Sequence, residues 1–388
     1  MSTVREVATR VLCLNGQKAT YMSATDVPAP VRATSVSPSR AEWERRTNSF
    51  TELAQLVRSA GLNGRTPGFY LALFSGLVVA LLGTLTGMVL LGDSWYQLLI
   101  AAGLGVLFTQ FAFIGHEAAH RQVFAAGPAN DRFARLLATG FVGISYAWWT
   151  TKHTRHHGNP NQVGRDPDIA PGWTSFTDED ARHATGFRAW ITRRQGWLFY
   201  PLLLLLGLDL HQASIRRLFR PGKLEGRALE LSMIGARFAV YLGLIFWVMP
   251  VGMAFAFLGV QLAVFGFYMG TAFAPNHIGM PIVPHGVKLD FLDKQVLTSR
   301  NVSGGWWITA LMGGLNYQIE HHLFPGMPRP HLRAARTLVR QHCRKYDVPY
   351  VENDLVEALA IVVRYLNDVG WAARHTFSCP AAASMGRP

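Results

Sequence analysis

Long uncharged segments dominate the hydrophobic pattern of this chain. Residues 69–91 and residues 97–115 contain no charged side chain, and only residues 92–96 separate the two runs. A helix needs about 20 residues to cross a bilayer core of about 30 Å. The two runs therefore predict a pair of membrane-spanning helices joined by a short loop.

A third uncharged segment, residues 238–274, is too long for one ordinary span. Pro250 lies inside it, and proline ends a helix because it lacks a backbone N–H and clashes with the preceding turn. The segment therefore predicts a second pair of spans, over residues 230–249 and 251–273. Four spans in two hairpins leave both termini and the middle of the chain on one side of the membrane.

The basic residues indicate which side that is. Of the 37 Lys and Arg residues, nine lie in residues 1–67, fifteen in residues 116–227, twelve in residues 275–388, and one, Arg237, lies within a span. Basic loops are retained in the cytoplasm. We therefore expect both termini and the middle segment to face the cytoplasm.

The net charge of +13 favours anionic partners. Cytoplasmic basic loops that meet anionic lipid explain the charge, and a site for an acidic protein partner is the alternative. No motif supports nucleic-acid binding. Cys13, Cys343 and Cys379 have no disulfide or metal spacing and suit a reducing compartment.

The predicted fold is an all-α integral membrane protein with four transmembrane helices in two hairpins and a cytoplasmic helical cap. Ser49 and Glu52 have capping-box spacing, and apolar residues follow at helical intervals. The predicted segments are a mobile tail (1–47, with Met1 or Met22 as the start), an amphipathic interfacial helix (48–66), the first hairpin (67–116), a cytoplasmic segment (117–228), the second hairpin (229–274), a second cytoplasmic segment (275–350), and a C-terminal helix and tail (351–388).

Half of the fourteen histidines fall into three clusters on the cytoplasmic face. They are His116 and His120 in HEAAH, His153, His156 and His157 in HTRHH, and His321 and His322 in QIEHH. Residues three and four apart share one face of a helix, so each cluster presents a stripe of imidazoles. Imidazole is the commonest metal ligand in proteins. Seven of them exceed what one tetrahedral zinc ion uses, so the pattern predicts two metal ions.

The predicted spans place the clusters at one depth. His116 directly follows the second span, and His277 stands where the fourth span ends, which makes it a candidate eighth ligand. Apolar residues 136–151 predict an interfacial or re-entrant helix before HTRHH. Alone, HEAAH also matches a metalloprotease zinc motif, and HTRHH a basic surface patch. A histidine-rich metal transporter is a further alternative, but its ligands would lie within the spans.

These residues carry a resemblance to the membrane fatty acid desaturase family. An H-x3-H box, an H-x2-H-H box, and a Q-x2-H-H box accompany four spans over residues 68–345, and the strings KHTRHHGNPN, GRDPDI and NYQIEHHLFP are similar to the family's own. Gln318 in the third box resembles the front-end branch and nearby bacterial acyl-CoA or acyl-lipid desaturases. The resemblance implies a multi-pass protein of a bacterial cytoplasmic membrane with its active site on the cytoplasmic side.

The resemblance implies a non-haem diiron enzyme that desaturates a long acyl chain with O2 as co-substrate. The implied catalytic iron ligands are His116, His120, His153, His156, His157, His321 and His322, with His277 added by position. Gln318 departs from an all-histidine set. Its amide oxygen is a harder, weaker ligand than imidazole and would act on iron directly or through water. Acyl hydroxylases and ketolases share the histidines and are the nearest alternative.

Residues beside the boxes are candidates for supporting roles. Ligating histidines usually donate their second ring N–H to a carboxylate or carbonyl. The carboxylate candidates are Glu117, Asp166, Asp168 and Glu320, each with a solvated surface acid as the alternative. Asn276 is a candidate to hold a bound water, by analogy with the family.

The electron source and the acyl carrier are expected partners. Residues 1–67 contain no histidine and no HPGG haem motif follows the third box, so we expect no fused cytochrome b5 and a separate donor, such as a ferredoxin or a ferredoxin-reductase-like protein. The acyl group is expected on CoA, on acyl carrier protein or in a lipid.

Overall fold

The computed structural model describes residues 40–373 of the chain. The predicted mobile tail before residue 40, the end of the C-terminal tail, Cys13 and Cys379 lie outside the described residues. Within them the chain is mostly helical. The helices are α1 (Arg40–Ser59), α2 (Pro67–Leu91), α3 (Gln97–Ala119), α4 (Gly127–Arg135), α5 (Tyr146–Gly158), α6 (Asp178–Arg182), α7 (Gly186–Thr192), α8 (Gln195–Leu203), α9 (Leu206–Phe219), α10 (Arg227–Val248), α11 (Val251–His277), α12 (Phe291–Leu297), α13 (Trp306–Leu311), α14 (Gln318–Leu323), α15 (Arg329–Lys345) and α16 (Leu355–Ala372).

Four of these helices, α2, α3, α10 and α11, are long and apolar enough to cross a membrane. The prediction of four spans is therefore confirmed by length and composition. The break at Pro250 also falls where expected, because α10 ends at Val248 and α11 begins at Val251. The fourth span extends beyond the predicted Phe273 to His277, so Asn276 and His277 belong to the helix itself.

The α3 and α11 helices form the largest helix–helix contact in the described fold. A Cβ atom added to Gly105 would lie 2.9 Å from the carbonyl oxygen of Gln261 on the facing helix. Small residues allow such close backbone packing between membrane helices. Phe108, Ile114 and Phe257 are buried in the core beside this contact. The pair fixes the ends of α3 and α11, where His116 and His277 lie.

The first described helix, α1, covers Arg40–Ser59, whereas the sequence predicted an interfacial helix over residues 48–66. Its apolar side chains Leu53 and Val57 are fully buried with Val296 of α12 and Val339 of α15. The amphipathic face of α1 is therefore used within the protein, as part of the core that supports the third histidine cluster.

The segment over residues 136–151 is not one helix. It forms a π-helix at Leu136–Val142, turns at Gly143 with φ of 93°, and restarts as α5. That φ lies in the left-handed region, which glycine adopts without a Cβ clash. The turn redirects the chain, so α5 carries the second cluster towards the ends of α3 and α11.

The buried carboxylate of Glu230, at the start of α10, holds the beginning of α5. It accepts hydrogen bonds from Arg135 Nε at 3.1 Å, from Ser145 Oγ at 2.5 Å and from the backbone N–H of Ala147 at 3.1 Å. The first backbone N–H groups of a helix lack intrahelical partners, and an anion there also complements the helix dipole. Glu230 therefore fixes α5 to the second hairpin.

Two features of the fold were not predicted from the sequence. The first is the pair α8 and α9, which meet at a bend of 72°. The second is the parallel pairing of two short strands, β1 (Asn301–Ser303) and β2 (Glu352–Asp354), which joins the chain before the third cluster to the start of α16.

Candidate metal centre

Eight histidines come together in two groups. In the first group the ring nitrogens of five histidines, His116, His120, His153, His157 and His321, lie within 4.8 Å of one another. In the second group the same limit holds for three histidines, His156, His277 and His322. All seven clustered histidines and the proposed eighth, His277, are therefore placed together by the fold.

The helical spacing explains how three clusters become two groups. His153 and His157 are four residues apart and share a face of α5, whereas His156 lies on the neighbouring face. His321 and His322 are adjacent on α14, so they point in directions about 100° apart. Each of these helices therefore contributes to both groups, while α3 serves the first group and α11 the second.

The buried ring nitrogens are arranged as metal ligands are. Nε2 of His153 lies 3.0 Å from Nε2 of His116 and 2.8 Å from Nε2 of His120. Among the described residues, the Nε2 atoms of His157, His321 and His322 are also buried without a hydrogen-bond partner. A buried polar atom without a partner costs about 1–3 kcal/mol. Metal ions bound by these nitrogens would remove that cost, so the donor set fits two metal ions.

The electrostatics keep most of these rings neutral, as metal binding requires. Burial lowers the pKa of His120 to about 3. Burial, together with the neighbouring imidazoles, lowers the pKa of four further rings well below the ordinary value; these are His153, His157, His321 and His322. The lone pairs of these rings are therefore free of protons at neutral pH.

His156 differs because two carboxylates face its second nitrogen. Its Nδ1 lies 3.0 Å from an oxygen of Asp166 and 3.3 Å from one of Asp168. Burial lowers the pKa of His156, but the two carboxylates outweigh burial and raise the pKa overall. His156 donates its Nδ1–H to Asp166, so its Nε2 faces the other two histidines of the second group.

Replacement of Asp166 by asparagine is expected to weaken metal binding in the second group by about 10–100-fold, the usual effect of losing such a partner. Asp166 is buried and also accepts the N–H of Asn161 at 2.7 Å, a contact that the asparagine oxygen can retain. Competition with a metal chelator measures the affinity. Asp168→Asn is the matched control with a smaller expected loss, because Asp168 is exposed and pairs with Lys152 at 2.6 Å. Equal losses in the two variants would contradict the assignment.

Two more histidines have second-nitrogen partners that the sequence analysis did not identify. His277 Nδ1 donates to the carbonyl oxygen of Thr298 at 2.9 Å, and His322 Nδ1 donates to Oε1 of Gln295 at 2.9 Å. The amide nitrogen of Gln295 also donates to the carbonyl oxygen of His157 at 3.0 Å. Gln295 lies on α12, so this short helix orients ligands of both groups.

The expected roles of Glu117 and Glu320 need correction. Among the described residues, Glu117 pairs with Arg329 and accepts from Tyr70 at 3.2 Å. Glu320 accepts from Asn301 at 2.7 Å and from the hydroxyl of Tyr350 at 2.8 Å. Each carboxylate is adjacent in sequence to one histidine and therefore about 100° away from it around the helix, so it points away from the ligand face.

These two carboxylates hold the histidine helices rather than the imidazoles. Glu117 ties α3 to α15 through Arg329. Glu320 ties α14 to β1 through Asn301, whose Oδ1 also accepts the N–H of Ile319 at 2.9 Å. Burial raises the pKa of Glu320 to about 7, although hydrogen bonds from Asn301 and Tyr350 act in the opposite direction.

Gln318 lies beside the second group. Its amide nitrogen is 2.8 Å from Nε2 of His277, and its amide oxygen accepts from Asn276 at 3.4 Å. The Oδ1 atom of Asn276 is buried without a hydrogen-bond partner among the described residues. Gln318 and Asn276 therefore form a polar edge to the second group. The Oδ1 atom of Asn276 is an acceptor that suits a bound water.

A mostly apolar cavity of about 340 Å³ reaches the histidines. His116, His153, His156 and His277 form part of its wall, and Lys152 and Asp168 line another part. Trp149 stacks on His153 with ring centroids 4.5 Å apart. The remaining lining is mainly aliphatic and aromatic, as in pockets for apolar ligands. The geometry can therefore hold an apolar chain against a metal centre.

Comparisons with known proteins agree with this geometry. A family model described as fatty acid desaturase matches residues 93–353. Delta(8)-fatty-acid desaturase 2 of Arabidopsis thaliana is 27% identical over 343 residues, which cover 84% of this chain and 76% of that protein. The Delta(6)-fatty-acid desaturase of Caenorhabditis elegans is 27% identical over 85% of this chain and 76% of its own length. The Delta(5) fatty acid desaturase of the same nematode is 28% identical over 79% of this chain and 70% of its own length. These three relatives are eukaryotic, so they do not support the expected bacterial membrane.

Proposed function

The chain belongs to the fatty acid desaturase family, and we propose from that premise that it is a membrane-bound, non-haem diiron enzyme that inserts a cis double bond into a long acyl chain. The observation that carries the proposal is the meeting of two histidine groups at the wall of an apolar cavity. The curated relatives named above act on the Delta(8), Delta(6) and Delta(5) positions. We place this chain in the same front-end class.

In this proposal different residues of the chain hold the metal ions, orient the histidine rings and bind the acyl chain. Two iron ions, when bound, would supply together with O2 as co-substrate the oxidising power that removal of hydrogen from unactivated methylene groups requires. The five-histidine and three-histidine groups would hold those ions, and Asp166, Thr298 and Gln295 fix the ring orientations in the three-histidine group. The apolar cavity excludes water and holds the acyl chain beside His116 and His153, because an extended chain buries its methylene groups there.

The electrons come from a separate protein in this proposal. The basic distribution of the chain favours a cytoplasmic site and an acidic donor such as a ferredoxin or a ferredoxin-reductase-like protein. Arg155 of α5 and Arg165 are exposed, and Arg155 Nη2 donates to the carbonyl oxygen of Arg165 at 3.4 Å. Lys294 donates to the carbonyl oxygen of Gly158, at the end of α5, at 3.0 Å. Arg155 lies within one turn of His156 and His157, so this basic surface would offer a short route to the metal ions.

The proposal is tested by expressing the chain in a desaturase-deficient host with a matched electron donor. We expect purified protein to hold about two iron ions, since the donor set has two groups. Gas chromatography with mass spectrometry of the host lipids is expected to show acyl chains that have lost two hydrogens, and defined thioesters and lipids identify the carrier. A product that has gained an oxygen would instead indicate a hydroxylase. Metal uptake into vesicles without any lipid product would indicate a transporter.

Replacement of Gln318 by alanine is expected to lower turnover by about 10–100-fold while about two iron ions remain bound. The eight imidazoles supply most of the binding, whereas the amide holds the ring of His277 and shapes the edge of the cavity. Steady-state turnover and iron content are measured together. Gln341→Ala, an exposed glutamine on α15, is the matched control. Full turnover in the Gln318 variant would show that Gln318 has no role in the site.

A further inference from the structure

The bent pair α8 and α9 contains a long uncharged stretch of the middle segment. Residues 195–208 carry no charge. Pro201 lies inside α8, and the two helices meet at 72° across Leu204 and Leu205. Proline is a common cause of such bends because it removes a helical hydrogen bond. The stretch is too short to cross a bilayer, but its composition is that of a membrane helix.

The apex of the bend lies beside the middle of a spanning helix. A Cβ atom added to Gly266 of α11 would lie 2.3 Å from the backbone nitrogen of Gly207, so the two backbones touch. The side chain of Leu203 packs against Gly270, where an added Cβ atom would lie 2.5 Å from Leu203 Cδ2. Gly266 lies eleven residues before His277, which is about 16 Å along the helix axis. The apex therefore reaches about halfway through a hydrocarbon core of about 30 Å.

The outer face of the apex is apolar and uncovered by the described protein. Trp197 is 74% exposed, Leu205 is 60% exposed and Leu208 is 56% exposed. Val240, on the spanning helix α10, is 72% exposed in the same way. Leu205 and Leu208 therefore extend the apolar surface that the spanning helices present to lipid. The opposite face lines the cavity with Leu203, Leu206 and Leu210.

Both ends of the pair return to one side. Arg193 and Arg194 precede α8, and Arg216 and Arg217 lie in the last turn of α9. The hydroxyl oxygen of Ser214 accepts the N–H of Ser145 at 2.6 Å, next to the start of α5. The acidic residue of the pair, Asp209, interacts electrostatically with Lys152 of α5. The chain therefore goes down beside α11 and comes back to the histidine side without crossing.

Three backbone N–H groups at the apex are bonded to carbonyl groups of the hairpin itself. The N–H of Leu204 donates to Pro201 O at 3.2 Å, the N–H of Leu205 donates to Leu202 O at 3.0 Å, and the N–H of Asp209 donates to Leu205 O at 3.0 Å. Hydrocarbon offers no hydrogen-bond partner, so irregular backbone there must be internally bonded. These three N–H groups of the tight turn meet that requirement.

We propose that residues 195–219 form a re-entrant membrane hairpin whose apex is immersed in the acyl chains of the bilayer lipid. Its outer face contacts lipid, and its inner face closes the catalytic cavity. Leu205 lies on the outer face, and the adjacent Leu206 lines the cavity. The proposal rests on α11 being a span and does not depend on the reaction catalysed.

The test uses nitroxide spin labels on the full-length protein in phosphatidylcholine vesicles. Leu205→Cys and Leu208→Cys are labelled in a chain with Cys13→Ser and Cys379→Ser, and Cys343 stays because it is buried. Collision rates with O2, which concentrates in hydrocarbon, and with a water-soluble nickel chelate are compared. Val240→Cys is the matched control in a span, and Lys223→Cys, in the exposed loop before α10, is the matched control in water.

We expect both hairpin labels to match Val240, with frequent O2 collisions and few nickel collisions. Frequent nickel collisions, as at Lys223, would overturn the proposal, because the apex would then lie in water. Protection from both reagents would also overturn it, since a protein surface such as a second copy of the chain would then cover the apex. The labels report depth without turnover, so an inactive preparation leaves this test intact.

Discussion

Replacement of His120 or His156 by alanine is expected to abolish double-bond formation while the protein still inserts into membranes. His120 belongs to the five-histidine group and His156 to the three-histidine group, so each variant damages a different metal site. We expect losses of turnover above about 100-fold, because even the outer partners of metal ligands contribute 10–100-fold. Iron content should fall most in His156→Ala, which leaves two imidazoles in its group.

The matched control for the histidine variants is His183→Ala. His183 is exposed and its ring bonds to the carbonyl oxygen of Glu179 within four residues, away from both groups. Turnover, iron content and membrane insertion are measured for all three variants. If either His120→Ala or His156→Ala kept normal turnover, that group would not be catalytic, and if both did, the diiron proposal would fail.

Replacement of Arg329 by methionine is expected to destabilise the protein by about 3–5 kcal/mol, the usual result of leaving one member of a buried ion pair alone. The side chains of Arg329 and Glu117 are only 6% and 3% exposed. Arg329 Nε and Nη2 lie 2.8 Å and 2.5 Å from the two oxygens of Glu117. Without the guanidinium, the hydroxyl of Tyr70 is the one hydrogen-bond donor left to the Glu117 carboxylate within residues 40–373.

Thermal unfolding in detergent micelles measures the effect of the Arg329 variant. Arg336→Met, on the same helix, is the matched control, because its pair with Glu352 is more exposed and such pairs contribute about 0–1 kcal/mol. The double variant Glu117→Gln with Arg329→Met should lose less than Arg329→Met alone, since no buried charge is then left unpaired. Equal losses in the single and double variants would show that packing, not charge, explains the effect.

The sequence predicted the parts of the fold that the bilayer dictates. A span must be about 20 apolar residues long, so the runs that became α2 and α3 stand out in any chain. Pro250 divides the third run because proline cannot continue a helix. The α8–α9 pair was not predicted, because residues 195–208 are too few to span and a bend is set by tertiary contacts such as Gly207 against Gly266.

The grouping of the histidines was predicted from the sequence, but the residues that hold them in place were predicted less well. Helical spacing brings histidines to one face, so the three clusters were visible as a pattern. Thr298 supports His277 through a backbone carbonyl, which any residue type provides, and Gln295 has no distinguishing motif. Glu117 and Glu320 were misassigned because adjacency in sequence does not fix direction. Their true partners, Arg329 and Asn301, are set by the fold.

The pairing of β1 with β2 implies that the candidate metal centre is completed only after the C-terminal part of the chain has been synthesised. Asn301 of β1 fixes the helix of the third histidine cluster, and β1 pairs with Glu352–Asp354 near the end of the described chain. The first two clusters leave the ribosome long before that strand exists. Metal loading is therefore expected to be a late step, and a chain that stops before β2 would carry all eight histidines yet lack the strand that pairs with β1.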